Sequence, residues 1–209
     1  MARYAQTERR ELADLFLTVG PDAPTLNAGW TARDLAAHLV VRERRPDALP
    51  GLRLPSLSRY TERVRQAAAA QPYPRLIDQL RRPPWWSPLG NPLTDGPANT
   101  LEFFIHHEDV RRARPDWRPR ELPPGQQAAL WKPASLLARL RLRRFPAALL
   151  IQAVGFGEVR AGAGGEPLRL EGAPAELVIF LSGRQSAARV HLDGTPALAE
   201  RLRTAPLGL

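Results

Sequence analysis

The first two thirds of the chain are patterned for helices, and the last third is not. Leu12, Leu15, Phe16 and Val19 recur at three- and four-residue intervals. They predict a helix over about Thr7–Thr18, ended by Gly20-Pro21. After the turn-rich stretch PDAPTLNAG, a second helix has a well-marked start. Thr31 suits an N-cap, and Asp34 stands three residues on, where a carboxylate can bond back to the cap and favour the positive helix end. Trp30 and Leu35 occupy the two positions of a hydrophobic staple. Leu35, His38, Leu39 and Arg42 then share one face, so His38 points inward with the leucines, and Pro46 closes the helix.

Residues 46–55 read as a proline-rich loop. Tyr60, Val64 and Ala67 predict a third helix over about Ser56–Ala70, and Pro74 opens a short fourth with Leu76, Ile77 and Leu80 on its apolar face. RRPPWWSPLGNPLTDGP is too rich in proline and glycine for regular structure. A loop of that length is often functional, which makes Trp85 and Trp86 candidates for a lid or cofactor-contacting wall. Asp95 is placed to cap a helix from Pro97 to about Ala113, which carries NTLEFFIHHEDVRRA. A further helix spans about Pro124–Arg144, bent at Pro133. Beyond Pro146 the texture changes. AALLIQAVGFGEVR and EPLRLEG read as a hairpin pair turned by AGAGG, AELVIFLSG as a short helix, SAARVHL as a strand and TPALAERLR as a last helix. The expected division is a helical bundle over residues 1–145 and a small α+β domain over 146–209.

Composition narrows the functional classes. The 209 residues include no cysteine, which excludes disulfides, thiolate zinc sites and a cysteine nucleophile. Thiol chemistry here needs a thiol from outside the chain. The N-terminal stretch lacks the apolar run of a signal peptide and no 18-residue apolar stretch occurs, so a cytoplasmic protein with no membrane span is expected. The formal charge of +9 raises nucleic acid as a partner. Against it, Lys132 is the only lysine, and the arginines are scattered among acids rather than gathered in a stripe. The Arg-, Ala- and Pro-rich composition is what a GC-rich genome imposes on any protein. The partners expected are therefore small molecules, with the protein a monomer or homodimer.

Two of the four histidines supply the candidate chemistry together with one acid. Glu102 and His106 are four residues apart on one helix and project from the same face, one turn apart. His38, on another helix, can supply a third ligand. Two imidazoles and a carboxylate suit Zn²⁺, Ni²⁺, Fe²⁺ or Mn²⁺ and leave coordination positions open. An isolated Glu-x-x-x-His is more often a surface pair. Here Phe103, Phe104 and Ile105 bury the helix, and a buried Glu beside a buried His calls for a cation. Asp109 either accepts from a ligand imidazole or pairs with Arg112. Asn99, earlier on the same helix, is a candidate cofactor contact, while His107 is turned about 100° from His106 and either packs against a neighbouring helix or lines the pocket. His191, between Val190 and Leu192 in an alternating strand, is expected in solvent.

GWTARDLAAHL, EFFIHHEDVRRA and EGAPAELVIFLSGR resemble the mycothiol-dependent maleylpyruvate isomerase family, part of the DinB-like metal-binding superfamily, and within it an actinobacterial-type metal-binding branch. The resemblance covers most of the chain. It implies a mainly α fold: a DinB-like four-helix bundle holding a divalent metal, most simply zinc, with the small α+β domain appended. It assigns His38, Glu102 and His106 as ligands, Glu102 replacing the superfamily's usual third histidine. Arg184, in LSGR, falls where that family places an arginine facing the active site; as a bare helix-end residue it would only complement the helix dipole. The implied activity is a transferase or isomerase using a low-molecular-weight thiol, mycothiol or bacillithiol, against an electrophilic substrate. The competing classes are a metal-dependent hydrolase, with Asp109 as its base, and a non-catalytic metal-binding stress protein.

Overall fold

A computed structural model describes residues 2–52, 54–87 and 97–208. The Asp95 cap expected from the sequence lies outside them. The chain divides into two compact units, Met1–Trp117 and Arg118–Leu209.

The first unit is helical. α1 (Ala2–Val19), α2 (Ala32–Arg44), α3 (Pro55–Ala69), α4 (Tyr73–Arg81) and α5 (Pro97–Arg112) follow one another. α1 lies along α5 and against α4, and α2 packs on both α3 and α4. The expected capping box at α2 is formed in both directions: Thr31 N donates to Asp34 Oδ2 at 3.0 Å, and Asp34 N donates to Thr31 Oγ1 at 3.4 Å. The core is built from the predicted faces, with Leu12, Phe16, Leu35, Leu39, Leu76 and Phe103 wholly buried. One correction concerns residues 46–55. The stretch read as loop forms a 3-10 helix over Pro46–Leu52. Proline fixes φ near the value this tighter helix uses, so a proline-rich segment can take it in a short piece. Thr61 Oγ1 on α3 bonds Ala48 O of that helix at 2.5 Å.

A charged node sits inside the apolar core. Arg9 on α1 forks onto both carboxylate oxygens of Glu43 on α2, donates to Leu80 O on α4 at 3.2 Å and stacks at 4.3 Å over Phe103 of α5. Arg9 and Glu43 are 3 % and 2 % exposed, so this fork is deeply desolvated. A buried guanidinium is tolerated because its donors are met in fork geometry and its face rests on an aromatic ring.

The second unit begins with α6 (Pro124–Leu142), which the sequence reading gave to the bundle. The boundary therefore falls after residue 117 rather than after 145. The reason is packing: the small apolar stripe Ala129, Leu130, Ala134, Ala138 and Leu142 is buried, and α6 lies against α7 (Pro174–Leu181) and β2 (Gly157–Ala161). Gln127 Oε1 also accepts from Ala175 N at the start of α7, at 3.0 Å. Pro133 lies within the helix.

The sheet has the order β2-β1-β3-β4, with β1 at Ala148–Ala153, β3 at Pro167–Gly172 and β4 at His191–Asp193. The expected hairpin between the AALLIQAVGFGEVR and EPLRLEG stretches is not formed. The first stretch folds back on itself as β1 and β2, because Gly155 and Gly157 take φ of +77° and +120°, values that favour glycine and reverse the chain. β3 then crosses to the other side of β1 and pairs with it in parallel, Ile151 opposite Leu170. The SAARVHL strand is shorter than expected: residues 185–187 are a 3-10 turn and only residues 191–193 pair. α8 (Pro196–Arg203) closes the unit. Among the described residues, no helix is long and apolar enough to cross a membrane.

Candidate metal centre

The capped start of α2 sets the phase that turns His38 inward, and the buried Phe103–Phe104 run of α5 does the same for Glu102 and His106. The two helices bring the three side chains together. Glu102 Oε1 lies 3.3 Å from Nε2 of His38 and 3.3 Å from Nε2 of His106. The ligand atoms all fall within 4.8 Å of one another. Ligands on a tetrahedral ion with bonds of about 2.1 Å sit about 3.4 Å apart, so this spacing fits one ion shared by three donors. The two imidazoles meet edge to face, 5.4 Å between centroids.

The surroundings orient the ligands. His106 Nδ1 bonds Asp109 Oδ2 at 2.9 Å, with Asp109 fully buried. Asp109 thus serves the imidazole, the first of its two expected roles, and Arg112 donates through Nε to Glu108 at 2.5 Å. A proton held on Nδ1 leaves Nε2 as the free ligand atom. His38 is braced on its other side by the tilted indole of Trp30, 5.4 Å away, and Arg65 stacks on that indole at 4.9 Å.

Charge at the site is already balanced as if for a cation. Burial opposes ionisation of Glu102, but His106, His38 and Arg42 outweigh it and hold its carboxyl well below the usual range. Burial likewise works against a charged His106, yet Asp109 and Glu102 raise its pKa to about 9. His38 is pushed the other way, chiefly by burial and also by the neighbouring cations. These opposed shifts favour an ionised Glu102 beside a protonated His106 and an uncharged His38.

A cavity of about 300 Å³ adjoins His38. His38 and Arg42 line it, with Trp30, Val41, Ala48 and Leu49 as apolar wall. Arg42, one turn beyond His38, reaches Glu102 Oε1 with Nε at 3.4 Å and donates through Nη1 to Asn99 Oδ1 at 2.7 Å. Asn99 is therefore at the site, 2 % exposed, but as the partner of an arginine rather than on the cavity wall. Arg42 itself was within reach of the sequence: the spacing that turns His38 inward turns it inward too.

Trp85 is 84 % and Trp86 50 % exposed, and neither is among the residues lining this cavity. Arg184 belongs to the second unit, where it donates to Ser182 O at 2.6 Å. His107 bonds Glu8 Oε2 on α1 at 2.7 Å, both buried. His191 is exposed, as expected.

No protein-family profile matches the sequence, and no curated protein matches it. Among solved structures, the mycothiol-dependent maleylpyruvate isomerase and a point mutant of it each superpose with a TM-score of 0.59. The alignment covers 92 % of this chain and 93 % of theirs, at 15 % identity. The chain has their fold, a mainly helical one with a small sheet.

Proposed function

We propose that this protein is a metal-dependent transferase or isomerase that joins a low-molecular-weight thiol to an electrophilic small molecule. The observation that carries the reading is the convergence of His38 and His106 on a single oxygen of Glu102 beside a cavity. The residues fit a divalent ion, zinc by preference for two imidazoles and a carboxylate, with Ni²⁺, Fe²⁺ or Mn²⁺ as alternatives. When bound, such an ion lowers the pKa of a thiol that reaches it. The solved structures of like fold are named for a mycothiol-dependent isomerase, and a chain with no cysteine must take its thiol from outside. Mycothiol and bacillithiol are the thiols proposed.

The chain's own residues then have defined tasks. Asp109 keeps the His106 proton on Nδ1 and aims Nε2. Trp30 fixes the plane of the His38 ring. The apolar wall formed by Val41, Ala48 and Leu49 limits water around the reacting carbon. The thiol proton leaves to solvent and the thiolate forms a C–S bond at the electrophile. In isomerisation the adduct rotates about the former double bond, the C–S bond breaks and the thiol is regenerated. In transfer the neighbouring carbon takes a proton and the adduct departs.

A hydrolase using the same ligands needs a base facing water, and Asp109 is bonded to a ligand imidazole instead. The test is to load the purified protein with Zn²⁺ and incubate it with electrophiles, with and without mycothiol or bacillithiol. Mass spectrometry should find a thiol adduct or an isomerised product only when thiol is present. Thiol-independent hydrolysis would overturn the reading.

A further inference from the structure

We propose that the electrophile this centre accepts carries a single anionic group, held by Arg42, on an apolar body that lies in the cavity against Trp30 and Leu49. This rests on the functional reading above and adds the substrate class to it.

The argument begins with the two cations that line the cavity among the described residues, Arg42 and Arg65. Arg65 is committed. It donates to both oxygens of Glu62, through Nε at 2.9 Å and Nη2 at 2.6 Å, and to Asp34 Oδ1 at 2.5 Å through Nη1. Two carboxylates more than balance one guanidinium, and its face is taken by Trp30. Arg65 therefore builds the wall and has no charge to offer an anion.

Arg42 is placed differently. Its hydrogen-bond partner is the neutral amide of Asn99, and its charged partner is Glu102. Glu102 is also the carboxylate that both imidazoles approach. Once its charge is given to a divalent ion, Arg42 is left with a neutral partner, nearly buried, on the wall of the cavity. A side-chain guanidinium at 11 % exposure in that position calls for an anion. Asn99 keeps the fork in place meanwhile.

The rest of the wall limits what can accompany that anion. Trp30, Val41, Ala48 and Leu49 are apolar, Ser58 and Thr61 add only neutral hydroxyls, and a second carboxylate placed among them would meet Glu62 rather than a free cation. A volume near 300 Å³ is at the small end of sites for drug-sized ligands, enough for an aromatic ring or short branched chain beyond the anionic group. A compact dianion fits this lining poorly.

Equilibrium binding to the zinc-loaded protein tests the proposal without turnover. Three probes are titrated by calorimetry: 3-phenylpropane-1-sulfonate, whose sulfonate ligates metals weakly, the neutral 3-phenyl-1-propanol, and maleate. The sulfonate should bind tightest of the three. Arg42→Gln should weaken the sulfonate by about tenfold or more, the worth of one charge-assisted hydrogen bond, and leave the alcohol within about twofold. Arg42→Lys should keep part of the sulfonate affinity. Leu49→Ser should weaken sulfonate and alcohol alike. Zinc content and circular dichroism of each variant establish that the centre and fold persist. Maleate binding as tightly as the sulfonate, or an Arg42→Gln protein that has lost nothing, overturns the proposal. No probe contains a thiol, so this outcome is independent of whether the thiol chemistry stands.

Discussion

His106 and His107 are neighbours on α5, about 100° apart around it, and they have opposite fates. His107 turns toward α1 and meets Glu8 at 2.7 Å, a hydrogen-bond distance, with both side chains buried. His106 turns toward α2 and shares an oxygen with His38 at 3.3 Å, a distance that leaves room for an ion. Glu11, one turn after Glu8, brings a second carboxylate within 4.8 Å of the first pair, so donor types alone do not separate the clusters. Spacing and access do. The Glu8–His107 pair is a buried hydrogen bond between two helices, whereas His38, of the other three donors, lines a cavity. The same two residue types form a clasp in one place and, on the proposed reading, a ligand set in the other.

The sharpest way to break this comparison is to remove each imidazole and measure metal in the purified, folded protein. His106→Ala should fall from about one ion per chain to near none, because two remaining donors make a poor site. His107→Ala should keep its ion. Two ions in the parent protein, or retention in His106→Ala, would show that the clusters have been assigned the wrong way round.

The reverse asymmetry should appear in stability. His107→Ala leaves Glu8 buried without its imidazole partner, and breaking a buried pair in this way costs about 3–5 kcal/mol. Urea unfolding of the metal-free proteins measures it. A loss under 1 kcal/mol would mean that the pair is not what fastens α1 to α5.

Asp109→Asn tests how far the ligand set depends on its support. Loss of a carboxylate behind a ligand imidazole typically lowers metal affinity by about 10–100-fold. Competition with a chelator reads this directly, and unchanged affinity would remove Asp109 from the centre. The same titration run against pH gives the smallest effect. His106 holds a proton up to about pH 9 in the metal-free protein, and the ion must displace it. Affinity should therefore rise about tenfold per pH unit between pH 7 and 8, with about one proton released, and flatten above pH 9. His38, its pKa lowered, contributes no proton over that range. A flat profile would mean that His106 is already neutral.

The convergence of the three candidate donors was legible in the sequence because helical spacing is a local property. Thr31 and Asp34 fix where α2 begins, and that alone decides which way His38 faces. Glu102 and His106 are fixed to one another by the helix pitch. Which histidine meets which acid was less accessible. Glu8 and His107 are 99 residues apart, and nothing in either segment announces the other. The Arg9–Glu43 fork was missed for the same reason: a charged residue on an apolar helix face reads as an interruption until its partner is brought in from another helix. The cavity needed the 3-10 helix over Pro46–Leu52, which looked like a loop because proline content signals a break more strongly than it signals this tighter helix. In the second unit the alternation located β1 and β3, but the parallel pairing depended on the turn at Gly155–Gly157, a two-glycine signal concealed inside one long apolar run.

The stretch between α1 and α2 looks like a plain connection. Yet Leu26 N bonds the carbonyl of Asp109 at 3.0 Å, Thr25 Oγ1 bonds Trp30 O at 2.9 Å, and the segment runs straight into the Thr31 cap. It thus ties the helix that carries His38 to the residue that steadies His106. Most surface connections tolerate insertions at little thermodynamic cost. This one acts as a spacer gauge: one residue added to PDAPTLNAG would shift α2 and pull His38 out of step with Glu102 and His106 without touching any of the three. Length variation in a lineage of such proteins should therefore collect elsewhere on the surface, and a change of length here should mark members whose centre has been retuned or lost.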